Sequence, residues 1–196
     1  MTAHPLPARS SRPPKALAKL PSMPPMTPQQ ILDYLRELGI AAETVEHEAV
    51  FTVAESRPVK ARIPGAHTKN LFLKDKKGRL FLITARDETQ IDLKRTHEAI
   101  GASGRLSFGS AEQLRAVLGV EPGSVTALAV ANDRAGEVTM ILDANLEGFE
   151  RVNVHPLVNT ATTGLSWNDL LRFLRATGHE PQVVRLPEPA AQEAAE

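Results

Sequence analysis

The chain has 196 residues, 42% of them hydrophobic, with 23 basic and 23 acidic side chains and no cysteine. That length and apolar content suit one domain with a sizeable core plus tails. The balanced charge argues against a broad nucleic-acid or membrane footprint, and the lack of cysteine excludes disulfides, thiolate metal ligands and a cysteine nucleophile. Residues 1–26 hold seven prolines and four basic residues (Arg9, Arg12, Lys15, Lys19) but no acidic one. Such a segment cannot bury enough surface to offset its ordering entropy. It is expected to be a disordered basic tail, or an extension upstream of a start at Met23 or Met26. No apolar run is long enough to span a bilayer, and the first residues lack the apolar core of a signal peptide. The expectation is a cytoplasmic protein with no membrane partner.

Thr27 and Pro28 open a helix as N-cap and first-turn proline, with Ile31, Leu32, Leu35 and Leu38 as its apolar stripe and Gly39 as its stop. Residues 42–47 read as a short strand, and Thr52 as the cap of a short helix that ends before Pro58. Residues 69–75 and 79–85 are predicted strands joined by Lys76, Lys77 and Gly78. The second is nearly all apolar and belongs at the centre of a sheet. Asp92 and Ser110 cap two further helices, with residues 105–108 as a strand between them. Residues 127–131 read as a buried strand, 138–142 as the next, and 152–155 as a short alternating one. A polar loop over 159–164 follows, then a helix capped by Ser166 and an edge strand over 182–186. The resulting class is α+β: a mixed, largely antiparallel curved sheet with flanking helices, packed on one side. The domain spans 27–186, and 187–196 is a flexible tail.

No HExxH, GxGxxG, Walker loop or GxSxG elbow is present, so neither a metal, a nucleotide cofactor nor a serine triad is expected. Three polar groups stand out. Lys69 and Asn70 follow His67 and Thr68 at the mouth of an apolar strand. A lysine there could hold a phosphate or an anionic intermediate; it could equally be a strand-end lysine in water. Gly123, Ser124, Val125 and Thr126 form a turn whose free N–H groups could bind a carbonyl or hydroxyl, or simply turn the chain. His155, with Asn159, Thr160 and Thr162, could orient a substrate hydroxyl or move a proton, or be satisfied by backbone.

These groups, in this order, resemble the YbaK and prolyl-tRNA-synthetase-associated editing domain family. The stretches that carry the resemblance are 51–55 (FTVAE), 68–73 (TKNLFL), 122–126 (PGSVT) and 155–162 (HPLVNTAT). Within the family the chain is most similar to freestanding proteins that deacylate alanyl-tRNA(Pro). The resemblance implies a hydrolase without cofactor or metal that cleaves the ester between an amino acid and the terminal ribose of tRNA(Pro). It implies catalytic roles for Lys69 and His155, and substrate contacts at Thr52, Asn70, Gly123, Ser124, Val125, Thr126, Asn159, Thr160 and Thr162. Lys69 would engage the terminal phosphate, and a free ribose hydroxyl would help place the attacking water. One departure from the family is Ala127, where many members carry proline. The implied partners are the acceptor end of tRNA(Pro) and prolyl-tRNA synthetase, with no DNA. Lys69, Lys74, Lys76, Lys77 and Arg79 are candidate acceptor-stem contacts. Cysteinyl-tRNA(Pro) hydrolysis, or a non-catalytic tRNA- or synthetase-binding module, are the competing readings.

Overall fold

The computed structural model describes residues 23–49 and 62–189. Among the described residues four α-helices form where the local signals place them. Helix α1 (Pro28–Glu37) carries a reciprocal capping box between Thr27 and Gln30. Helix α2 (Leu93–Ala99) is capped by Asp92, which accepts from the Lys94 amide at 2.9 Å. Helix α3 (Ala111–Leu118) repeats the capping box with Ser110 and Gln113, and Gly119 ends it in the left-handed conformation. Helix α4 (Trp167–Ala176) starts at Ser166, whose hydroxyl accepts from the Asp169 amide at 3.0 Å. Each cap satisfies backbone donors that the first helical turn leaves unpaired.

The strands are β1 (Glu43–Glu46), β2 (Ala66–Lys74), β3 (Leu80–Arg86), β4 (Ser107–Phe108), β5 (Val138–Asp143), β6 (Val152–Val154), β7 (Ala161–Leu165) and β8 (Gln182–Val184). They form one sheet in the order β1-β7-β6-β2-β3-β5-β8, with β4 also paired to β2. Four pairings are antiparallel and three parallel, so the sheet is mixed. As expected, β3 is central, between β2 and β5, and β8 is an edge.

Both faces of that centre are covered. Leu80 and Leu82 of β3 join a large core with α1, α3 and α4, whereas Phe81, Ile83 and Ala85 join a second core with Ile100, Leu106 and Leu186. Burial on both faces is why β3 reads as a continuous apolar run. It also corrects the expectation of helices on one side only, because α2 and its flanks pack on the second face through Leu93 and Ile100.

Two further expectations change. Residues 127–131 are not a strand but part of a 3₁₀ helix, Ala127–Asn132, capped by the Thr126 hydroxyl. A short apolar run has no period that separates buried strand from buried helix, and three alanines favour the helix. The loop expected over 159–164 is largely β7. Its threonines are β-branched, and sheet neighbours satisfy their hydroxyls: Thr163 bonds Thr44 and Thr162 bonds His47, each at 2.9 Å. The expected strand over 105–108 shortens to Ser107–Phe108. Before α1, the Met26 amide donates to Asn132 Oδ1 at 2.8 Å, which joins this stretch to the 3₁₀ helix.

The β2–β3 hairpin is held by Asp75, whose side chain is fully buried. Its carboxylate accepts from Lys77 N, Arg79 N, Arg79 Nε and Ser103 N at 2.8–3.0 Å. Burial raises its pKa, but the hydrogen bonds from Ser103, Arg79 and Lys77 outweigh it and hold the group at about 2, against an ordinary 3.8. A depressed carboxylate contributes stability that is complete above its unfolded pKa and is lost as pH falls through the folded value. Between about pH 4 and pH 2 the wild type is therefore expected to lose melting temperature more steeply than Asp75→Asn. Parallel curves in thermal melts across that range would remove Asp75 from this role. Arg79 is committed to the same turn, bonding Asp75 and the Gly101 carbonyl.

Candidate functional site

Side chains alternate along strands, and here the alternation sorts apolar from polar. On β6, Val152 and Val154 enter the large core, while Asn153 points to the opposite face and His155 continues its row. On β7, Leu165 is in the core, so Thr162 and Gly164 face away with Asn153. The parallel β2–β6 register pairs Ala66 with Val152 and His67 with Asn153, so His67 and then Lys69 extend the same polar row. From β1, His47 reaches Thr162. One half of the sheet thus presents a face bearing His47, Thr162, His155, Asn153, His67 and Lys69.

Carbonyl oxygens accept and never donate, which assigns the histidine protons. His47 Nδ1 donates to the Glu48 carbonyl at 2.8 Å, and its Nε2 is hydrogen-bonded to the Thr162 hydroxyl at 2.9 Å. His155 Nδ1 donates to the Ala161 carbonyl at 3.0 Å. His67 donates through Nε2 to the Ile63 carbonyl at 2.9 Å. Asn153 is almost fully buried; its amide donates to the Pro64 carbonyl at 3.0 Å and its oxygen receives Arg151 Nε at 3.4 Å. Arg151 also pairs with Glu43 at 2.6 Å and lies across Gly164, where a Cβ would meet its Nε. Gly164→Ala is expected to displace the guanidinium and break the Glu43 pair. A melt of this variant beside Arg151→Ala should show similar losses, and an additive double variant would contradict the contact. Among the described residues no group of three His, Asp or Glu side chains could hold a metal ion.

Not every candidate falls on this face. Lys69 is half-buried and its Nζ donates to the Thr89 carbonyl. Its neighbour Asn70 points the other way, accepting from Thr84 Oγ1 at 2.6 Å. The turn at Gly123 (φ 93°) is exposed, with Ser124 N donating to the Glu121 carbonyl at 3.0 Å. Val125 packs on the large core and Thr126 is buried, so this turn enters on the side that Asn70 faces. Asn159 is half-buried and Thr160 exposed, and the Thr160 carbonyl accepts the His47 amide at 2.8 Å. Between them and His155, Leu157 holds a positive φ of 67°, uncommon for a bulky residue. Thr52 lies outside the described residues, as does its predicted helix. A cleft of about 560 Å³ opens beside His47 and Thr160, between Thr27 and Leu32 of the α1 region and Pro156.

The sequence reading gave no role to His47, Asn153 or Arg151. Asn153 was findable from the alternation Val152-Asn153-Val154-His155. The His47–Thr162 bond spans 115 positions and has no local signal.

A family model described as the aminoacyl-tRNA editing domain matches residues 47–173. A prolyl-tRNA synthetase associated domain-containing protein 1 of Xenopus laevis is 41% identical over 160 residues, covering 80% of this chain and 95% of the relative. The prolyl-tRNA editing protein ProX of Acetoanaerobium sticklandii is 36% identical, covering 81% of this chain and 96% of that protein. A crystal structure provisionally described as a trans-editing enzyme for prolyl tRNA synthetase shares the fold at 20% identity. Its TM-score is 0.63, with 87% of this chain and 100% of that chain covered.

Proposed function

This chain belongs to the aminoacyl-tRNA editing domain family, and we propose that it is a trans-acting hydrolase that removes alanine from mischarged tRNA(Pro). The observation that carries this reading is the placement of Lys69 and His155 on one polar face across the β2–β6 seam. Relatives whose names tie them to prolyl-tRNA synthetase or to prolyl-tRNA editing support it.

In this mechanism the Lys69 ammonium, a compact charge with three donors, binds the phosphate beside the terminal adenosine and so fixes the ester against the attacking water. His155, with its proton held on Nδ1 by Ala161, offers Nε2 to a ribose hydroxyl. That hydroxyl orients a water. The water adds to the ester carbonyl, the bond to the ribose oxygen breaks, and alanine and uncharged tRNA leave. No side chain forms a covalent intermediate, and the chemistry is independent of metal. The 159–162 segment shapes the aminoacyl pocket, and the cleft beside Thr160 gives room for the terminal nucleoside.

The selectivity is steric. A synthetase pocket built for proline discriminates against a substrate lacking a methylene or two by only about 1–3 kcal/mol. A second site too small for proline then removes alanine selectively. Such an enzyme works in the cytosol, on the acceptor end of tRNA(Pro), beside prolyl-tRNA synthetase. The substrate-assisted step is tested with alanyl-tRNA(Pro) whose terminal adenosine lacks the free ribose hydroxyl. The expected rate is that of uncatalysed hydrolysis, and chelator should leave the normal substrate's rate unchanged. Wild-type rates on the deoxy substrate would overturn the mechanism.

A further inference from the structure

We propose that Thr89 and Asp143 are positioning residues that fix the Lys69 ammonium for catalysis; this rests on the deacylase reading above. Lysine reaches its target on a flexible four-carbon stem, so a catalytic lysine needs a second anchor. Here the anchor is the main-chain carbonyl of Thr89, which accepts from Lys69 Nζ. Thr89 lies in the loop that follows β3, and loops hold a carbonyl in place only when something ties them down.

The tie is Asp143, at the end of β5 and fully buried. Thr89 Oγ1 donates to Asp143 Oδ2 at 2.6 Å. The direction of that bond is fixed, because the same hydroxyl accepts from Asn145 Nδ2 at 3.3 Å, leaving its hydrogen for the carboxylate. Asp143 Oδ2 also takes the Arg86 amide at 3.3 Å, where β3 ends. Its other oxygen caps the short 3₁₀ turn Ala144–Leu146 through the Asn145 amide at 3.0 Å. Capping accounts for Oδ1 alone. Oδ2 is given over to the loop that carries the Lys69 acceptor. The network therefore runs from β5 across the end of β3 to the lysine of β2, and it sets where the ammonium sits relative to His155.

The distinguishing experiment is a double-mutant cycle on hydrolysis of alanyl-tRNA(Pro), using the full chain. Thr89→Val keeps the shape and removes the hydroxyl; Thr89→Ser keeps the hydroxyl. Loss of the anchor should lower kcat about tenfold with KM little changed, because misplacement of a reacting group by about 1 Å costs up to a hundredfold. Thr89→Ser should stay within about twofold of wild type. In a Lys69→Ala background, Thr89→Val should change kcat by less than about twofold, since residues acting as a unit are non-additive. Equal losses in both backgrounds would make Thr89 a general structural residue and overturn the proposal, as would wild-type kinetics for Thr89→Val. If Thr89→Val fails to fold, Asp143→Asn is judged by the same cycle and the same two outcomes. An inactive wild type would bring down the deacylase reading and this inference with it. A Lys69-dependent enzyme indifferent to Thr89 and Asp143 would bring down this inference alone.

Discussion

Replacing Lys69 by alanine is expected to lower kcat/KM on alanyl-tRNA(Pro) by about 10²–10³-fold, the range found when one preorganised electrostatic contact is removed from an active site. The reason lies in what the side chain does in the fold. It stands on the polar face beside the row of His67, Asn153 and His155, not in either apolar core. Its ammonium is hydrogen-bonded to the Thr89 carbonyl. Thermal stability should therefore change little while hydrolysis collapses. Lys69→Met keeps the stem without the charge and should behave like alanine. Lys69→Arg keeps the charge in a planar, wider head that cannot reproduce a point contact, and should recover only part of the rate. Single-turnover kinetics beside a thermal melt separate these effects. A loss of binding alone, with an unchanged rate for bound substrate, would mean that Lys69 holds tRNA and takes no part in the reaction.

The second large effect is expected at Gly65. Its φ of 107° is one that residues with a Cβ rarely adopt. A Cβ built there would lie 2.6 Å from the Arg151 carbonyl oxygen. That oxygen is backbone, and it already accepts the Ala66 amide at 2.9 Å, the bond that starts the β2–β6 seam. Neither partner can give way without opening the seam. Gly65→Ala should cost more than about 2 kcal/mol, since an incompatible backbone costs more than the fraction of a kcal/mol usual for glycine-to-alanine exchanges. For a domain of this size that is a fall in melting temperature of about 4–8 °C. Activity should fall with it, because the seam sets the distance from Lys69 to His155. Gly78→Ala is the control: φ is also positive, at 80°, but nothing lies within 4 Å of its Cβ. Equal melting temperatures for the two variants would show that the Arg151 contact has no weight.

The elements that could be read from the chain are those whose causes are local. Thr27, Asp92, Ser110 and Ser166 cap helices through contacts within three residues, and each does so as read. The β2–β3 hairpin and the central place of β3 followed from a turn and an apolar run. What failed depended on partners far away. Thr162 and Thr163 look like loop residues until His47 and Thr44, more than a hundred positions earlier, supply their hydrogen bonds. Ala127 to Ala131 could be apolar strand or apolar helix, and only packing against α3, α4 and β3 decides. For the candidate site, the sequence pointed to Lys69, His155 and Thr162, which share a face. It did not separate them from Asn70, although adjacent strand residues must point apart, nor reveal that the Gly123 turn enters from Asn70's side.

The most direct test of the account is deacylation of tRNA(Pro) charged separately with alanine, cysteine and proline, by wild type and by Lys69→Ala. The predicted result is rapid loss of alanine, sparing of proline, and an alanyl rate about 10²–10³-fold lower in the variant. Preference for cysteine would keep the chemistry and contradict the assigned specificity. Hydrolysis of prolyl-tRNA(Pro) at the alanyl rate would contradict the steric sieve, and intact esters in all three cases would contradict the enzyme itself.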